Sequence, residues 1–479
     1  MNMHSSFELK NHHFIAVLSF LTLLLAFNQL WVIEGDGDSI VYATVSKTIA
    51  ESGNWLTPTY NFRLFFDHPP LLLWVNALLF KIFGFEEWVP RLFTGISGLG
   101  AVLLVFYIGN RYANQYTGFL AGISLLLSYD FIQMLNKNRM EIPLLFLYIC
   151  GLYGFLRGIE GDKKGFYLSG IFAGLAFLTK GIVSAGILVI SFILIFDLKK
   201  ASLLKRKEIW LFILISLLIP SAFFITQYHV NGEEFFKKYF FGQVFQSIKE
   251  GPNPSSPFYY LGYILVAYLP WLPFFLHGIV ITLRDGEKHP LWRMTLFWCA
   301  VIFISFSVAS SKRHYYLLPM FPAMSLLTGR SLDRLLTEGK KLIFFRVIVL
   351  ICVSASLFLA ISPIPLHRNS YPEIYKMAPY LKEVLTENDL IISYRNREGI
   401  STPSFYLIND KLKIEYCYKP EELQELIKSN KTKRIILCTS DKNVEDNPKI
   451  IEGFFPFIEN NGLRFYSNDP NVKLSGHIY

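Results

Sequence analysis

Residues 14–38 read FIAVLSFLTLLLAFNQLWVIEGDGD: twenty residues without a charge, then Glu34, Asp36 and Asp38 separated by glycines. About 20 apolar residues is the length an α-helix needs to cross a bilayer. The rest of the chain repeats the pattern, with charge gathered between apolar runs instead of spread along helix faces. Of 479 residues, 52% are hydrophobic, 16% aromatic and 17% charged, where soluble domains carry roughly a quarter charged. Working outward from 14–33, further spans are expected near 91–110, 117–135, 141–157, 165–179, 181–197, 208–228, 258–282, 291–309, 314–329 and 343–364. The expected fold is a polytopic α-helical membrane protein of eleven spans. The first run lacks an A-x-A-like cleavage site and reads as a retained helix.

The net charge of +9 belongs to loops, not to a nucleic-acid surface. Arg157, Lys163 and Lys164 fall in one short connection, and Lys199, Lys200, Lys205, Arg206 and Lys207 in another. Arg284, Lys288 and Arg293 follow, then Arg330, Arg334, Lys340 and Lys341. With a cytoplasmic N-terminus these loops obey the positive-inside rule. The long connections 34–90 and 229–257 and the tail then lie outside. Within the first of them, 39–52 reads as an amphipathic helix on the membrane surface. The proline-led stretch 69–83 reads as an interfacial or half-inserted helix.

Residues 1–365 form the expected membrane domain, and 366–479 a small extracytoplasmic α/β domain. Stretches 389–395, 411–417 and 434–440 alternate or run apolar as strands do, whereas 419–430 and 445–459 read as helices. The five cysteines show no metal-ligand spacing. Cys150, Cys299 and Cys352 sit in apolar runs, while Cys417 and Cys438 fall in the tail, where a disulfide stays open.

Four constellations could carry chemistry. Three carboxylates at a membrane boundary are costly and point to function, although Asp38 also stands where it would cap a helix starting at Ser39. An EF-hand is excluded because the downstream ligands are missing. In NKNRMEIP (136–143), Arg139 offers a planar fork to phosphate or carboxylate. Glu141 would orient it or meet an acceptor, and Lys137 would serve a ligand or snorkel. FLTKG (177–181) places Lys180 at membrane depth between two short apolar halves. SSKRHYYLLP (310–319) puts Lys312, Arg313 and Tyr316 on the outer side against the charge bias, which suits an anionic headgroup. Tyr315 reads as an interfacial aromatic.

The run Asp38-Ser-Ile-Val-Tyr42-Ala43, followed by Glu51-Ser-Gly53-Asn-Trp55-Leu-Thr57-Pro58, then Phe66-Asp67-His68-Pro69-Pro70-Leu71 and Trp74, resembles a known family. It is similar to the first outer loop of the aminoarabinose transferase and protein O-mannosyltransferase group of C-type (GT-C) glycosyltransferases. The elements around Arg139 and Glu141, Thr179-Lys180-Gly181, and Lys312 with Tyr316-Leu-Leu-Pro319 are similar to later motifs of that group. One departure stands out: Ser39 occupies the place of a usual second acid.

The resemblance implies an inverting transfer of a sugar from a polyprenyl-phosphate donor to a glycolipid, lipid A-like, polysaccharide or protein acceptor, at the outer face among membrane lipids. It implies catalysis by Asp38 with Glu141. Substrate contacts would come from Asp36 (also the base if the register shifts by two), Tyr42, Asp67, His68, Lys137, Arg139, Lys180, Lys312, Arg313 and Tyr316. A divalent cation, if one binds, would take Asp67 and His68. The loop 229–257 would cover the donor, but it holds no histidine past His229, which weakens the case for a metal. The rival is a multi-pass lipid or solute transporter or flippase. That class places charge at the bilayer midplane and shows repeated halves, and neither is seen here. A noncatalytic scaffold would leave EGDGD and KRHYY unexplained.

Overall fold

The computed structural model describes residues 10–28, 37–61, 63–239, 256, 258–285, 289–310, 312–361, 377, 380–395, 412–460 and 463–472. Its helices through the apolar part are α1 (Asn11–Phe27), α2 (Gly37–Ser52), α3 (Leu71–Phe83), α4 (Arg91–Tyr112), α5 (Gln115–Leu126) and α6 (Tyr129–Leu135). They continue as α7 (Glu141–Ile159), α8 (Lys163–Lys180), α9 (Ala185–Asp197), α10 (Lys207–Phe236), α11 (Tyr259–Ala267) and α12 (Leu272–Arg284). The last are α13 (Pro290–Val308), α14 (Phe321–Leu335) and α15 (Glu338–Ile361). Every expected span meets a helix or a helix pair. Among the described residues, however, five helical runs are long and apolar enough to cross a membrane, or seven if the bent pairs α5–α6 and α11–α12 each count once. Part of the shortfall from eleven has local causes. The α8–α9 run counts once, α1 is short, and α14 carries Arg330, Asp333 and Arg334 in its second half.

The breaks fall where the backbone chemistry changes. Ser128 turns its hydroxyl back to the Leu125 carbonyl (2.8 Å), and α6 leaves α5 at 67°. Pro270 has no N–H to continue α11, and α12 departs at 110°. α8 ends at Gly181, whose φ of +61° is a left-handed conformation that favours glycine. A 3₁₀ turn, Gly181–Ser184, follows and is tied to α7 by the Tyr148 hydroxyl donating to the Val183 carbonyl (3.3 Å).

The chain divides into two compact units. One comprises Met1–Gln29, Phe66–Val75 and Pro90–Ile364; the other comprises Leu30–Phe65, Asn76–Val89 and Pro365–Tyr479. In the first, helices approach closely through small residues, as membrane helices do. A Cβ on Gly118 would meet the Phe106 carbonyl of α4. Trp298, Tyr148, Phe155 and Phe166 are fully buried in its core.

In the second unit, α2 is buried at Ile40, Tyr42, Ala43, Thr44, Val45, Ser46 and Ile49. The surface-lying helix expected at 39–52 is therefore covered on most sides, because small Ala, Ser and Thr positions let neighbours close over it. A short hairpin follows, β1 (Thr59–Tyr60) against β2 (Arg63–Leu64). The tail forms a five-stranded sheet of β3 (Leu390–Tyr394), β4 (Lys413–Cys417), β5 (Ile435–Ser440), β6 (Phe455–Asn460) and β7 (Leu463–Ser467), in the order β4-β3-β5-β7-β6. β3 runs parallel to β4 and β5, while β5–β7 and β7–β6 are antiparallel. Leu390, Ile392 and Tyr394 pack into one apolar layer and Ile391 into another, so both faces are covered and the strands read as continuous apolar runs.

The helix expected at 419–430 is present as α16 (Pro420–Ser429). Glu422 accepts there from the backbone N–H groups of Tyr418 (3.0 Å) and Lys419 (3.3 Å). The helix expected at 445–459 is corrected: α17 (Asp441–Asp446) ends early and β6 begins at Phe455. Pro448 and Gly453 interrupt the helical period, and β6 and β7 flank Asn461-Gly462, a hairpin signature. Cys417 and Cys438 are free and buried. They lie opposite Tyr394 and Ser393, on either side of β3, so the central strand separates them.

Candidate active site

The first unit gathers buried charge where α7 begins and α8 ends. Glu141 opens α7 and Lys180 closes α8, so two helix termini deliver opposite charges to one place. Lys180 Nζ lies 2.7 Å from Glu141 Oε1 and Arg139 Nε 3.3 Å from Glu141 Oε2, with the Arg139 and Glu141 side chains about one-twentieth exposed. Arg139 is held from behind, its carbonyl accepting from the Thr94 hydroxyl (3.3 Å). Tyr315 and Tyr316, in the 3₁₀ segment His314–Met320, turn their rings to the cations. The Arg139 guanidinium is 4.7 Å from the Tyr315 centroid, and the Lys180 ammonium is 5.4 and 4.9 Å from Tyr315 and Tyr316. Aromatic faces attract cations electrostatically. Tyr315 is therefore no simple interfacial anchor: it covers both cations.

His68, half-buried, belongs to the same electrostatic group. Burial, followed by the charge of Lys180, lowers its pKa to about 4, against the opposing pull of Asp67 and Glu141. At neutral pH it is an uncharged imidazole. Asp67 is exposed. Among the described residues no three of His, Cys, Asp and Glu converge as metal ligands. The charges of Lys180 and Arg139 act on His68 as well and oppose a divalent ion at that imidazole.

The remaining sequence candidates are placed as follows. Lys312, buried, donates to the Ala309 carbonyl (2.5 Å) at the end of α13. Arg313 is exposed, its carbonyl accepting from the Tyr260 hydroxyl (2.9 Å). Lys137 is half-buried in the α6–α7 turn, its carbonyl accepting from the Arg139 N–H. In the second unit, Asp38 sits in the first turn of α2, exposed, and Tyr42 is buried one turn on. Asp36 and most of the loop 229–257 lie outside the described residues.

Sequence reasoning missed one network. Asp130, fully buried, accepts from the Tyr263 hydroxyl (2.6 Å) and stands 2.9 Å from His314 Nδ1. Its other oxygen is buried without a hydrogen-bond partner among the described residues. A lone acid inside the apolar run 117–135 was the available signal.

The dolichyl-phosphate-mannose-protein mannosyltransferase family matches residues 67–225, which include His68, Arg139, Glu141 and Lys180. An uncharacterized protein of Aquifex aeolicus (strain VF5) is 30% identical over 73% of this chain and 69% of its own length. The undecaprenyl phosphate-alpha-4-amino-4-deoxy-L-arabinose arabinosyl transferase of Shewanella sediminis (strain HAW-EB3) is 26% identical over 65% of this chain. The chain spans 57% of that enzyme's length. The crystal structure of ArnT from Cupriavidus metallidurans bound to undecaprenyl phosphate shares the fold, with a TM-score of 0.76 at 20% identity, covering 97% of this chain and 98% of that one. The chain belongs to the GT-C glycosyltransferases of the aminoarabinose transferase and protein O-mannosyltransferase type. This GT-C transferase is a multi-pass membrane enzyme, and the cluster of Arg139, Glu141 and Lys180 lies inside the matched segment.

Proposed function

We propose that this GT-C transferase moves a sugar from a polyprenyl-phosphate carrier to a hydroxyl of a glycolipid, lipid A-like molecule, polysaccharide or protein, at the outer face of the plasma membrane. The observation that carries the reading is the pairing of two buried cations, Arg139 and Lys180, with one carboxylate, Glu141. A guanidinium fork and an ammonium held side by side suit the oxygens of an oxyanion. The phosphate of the carrier supplies it. The Shewanella sediminis relative is an undecaprenyl phosphate-alpha-4-amino-4-deoxy-L-arabinose arabinosyl transferase, which supports the same carrier here.

In the reaction the acceptor oxygen bonds to the anomeric carbon as the bond from that carbon to the phosphate oxygen breaks. The electron pair leaves with the phosphate, whose growing charge Arg139 and Lys180 stabilise. The acceptor proton passes to a base, which the sequence resemblance assigns to Asp38. Glu141, with a cation on each oxygen, is a poor proton acceptor and acts as the counterion that orders both cations. Tyr315 and Tyr316 keep water from them, and neutral His68 adds no further charge. A membrane domain of 1–365 with an extracytoplasmic domain of 366–479 remains our proposed division of labour.

The reading is tested by native mass spectrometry of the purified chain with undecaprenyl phosphate. Arg139→Ala and Lys180→Ala should each weaken binding by about ten- to a hundredfold, the loss of one charge-assisted contact of roughly 1.5–3 kcal/mol. Unchanged affinity in both variants would refute the phosphate site.

A further inference from the structure

In the second unit, the open edge of the tail's sheet is not left bare. β4 is the outermost strand, and Ile414 pairs in register with Ile391 of β3. Ile414 turns both backbone polar groups to the other side. Its N–H donates to Asn61 Oδ1 (3.2 Å) and its carbonyl accepts from Asn61 Nδ2 (2.7 Å). The Asn61 amide thus acts as a one-residue strand, making the two bonds a neighbouring strand would make. The next residue adds an ion pair, Arg63 to Glu415 (3.1 Å), with Lys413 3.0 Å from the same carboxylate.

Asn61 sits between β1 and β2 with φ +48°, a conformation asparagine tolerates better than most residues. Residues 353 positions apart are thereby joined at the turn of the hairpin. That hairpin follows α2 and packs against it. Two further contacts fix the same neighbourhood: Lys47 of α2 over Phe85 (5.4 Å) and Lys81 over Trp55 (5.6 Å).

We infer that Asn61 is a positioning residue, and that the C-terminal α/β domain serves transfer by clamping the β1–β2 turn and, through it, α2 with Asp38. The inference rests on the reading of Asp38 as the base. Covering an open edge would by itself protect against aggregation, a task any polar loop could meet. The paired amide instead fixes the hairpin in one register on β4. Losing two hydrogen bonds should loosen the hairpin and α2 locally without unfolding the sheet.

The test uses the full chain in detergent, with hydrogen–deuterium exchange read on peptides from 37–60. Asn61→Gly keeps the left-handed backbone and removes both bonds. Exchange across 37–60 should rise about tenfold, while the affinity for undecaprenyl phosphate stays at the parental value. The amount of envelope product per molecule of enzyme, read by mass spectrometry in a complemented deletion strain, should fall. Asn61→Asp, which keeps the acceptor and loses the donor, should fall between, and it carries the test if the glycine variant does not accumulate. Unaltered exchange, or parental product from Asn61→Gly when Asp38→Asn is inactive, overturns the clamp. An active Asp38→Asn overturns the base assignment instead, and the exchange result still decides whether the domain holds α2.

Discussion

Glu141 is the residue on which two roles compete. Its carboxylate lies between Lys180 at 2.7 Å and Arg139 at 3.3 Å, and a base so engaged gives up strong ion pairs to take a proton. Glu141→Gln preserves shape and removes the charge that Lys180 and Arg139 face. As a counterion, its loss should cost about 3 kcal/mol of stability, seen as earlier thermal unfolding, while transfer per folded molecule falls less than about tenfold. A collapse by about 10²–10⁴, the range for a positioned acid–base group, would make it catalytic. Its importance was legible in the sequence because an acid, an arginine and a deep lysine are expensive in an apolar setting. Tyr315 was not, because a tyrosine at a membrane boundary has an ordinary use and only the 3₁₀ path of 314–320 turns its ring to the cations.

The turn at Lys180 shows what single elements encode. A lysine between two apolar halves foretold a break, and Gly181 makes it, with φ +61° and no room for a side chain, since a Cβ there would run into the Tyr239 hydroxyl. Gly181→Ala should therefore destabilise the protein by about 2 kcal/mol, with Tyr239→Phe restoring part of the loss by removing the obstructing oxygen. A melting temperature equal to the parent's would contradict this account of the turn. Other elements were less legible. The bends after Leu126 and Ala267 are set by Ser128 back-bonding and by Pro270, small signals inside long apolar runs. Residues 445–459 were misread because acidic and amide residues can open a helix or a hairpin, and pairing with β7 decided in favour of the strand. The strands at 390–394, 413–417 and 435–440 were plain, since a sheet covered on both faces needs uninterrupted apolar runs.

At the scale of the whole molecule, composition alone established a multi-pass membrane protein, and the order of motifs established its family. Crossing number was less accessible, because short, bent and charged helices blur the length rule on which eleven spans rested. The proposed orientation rests on the placement of lysine and arginine. Alkaline phosphatase, active only outside the cytoplasm, should therefore be active when fused after residue 370 and inactive when fused within 199–207. The reverse pattern would put the proposed site on the cytosolic side and end the outer-face reading.

The central claim, that this chain transfers sugar with Asp38 as base, is tested most directly by Asp38→Asn in a deletion strain. The amide keeps the shape and its place in the first turn of α2, but it cannot take a proton at this position. Mass spectrometry of envelope lipids and glycans should show the product that distinguishes parent from deletion falling by about 10²–10⁴-fold, with the variant accumulating and binding undecaprenyl phosphate as the parent does. Product at the parental level from Asp38→Asn would contradict the account.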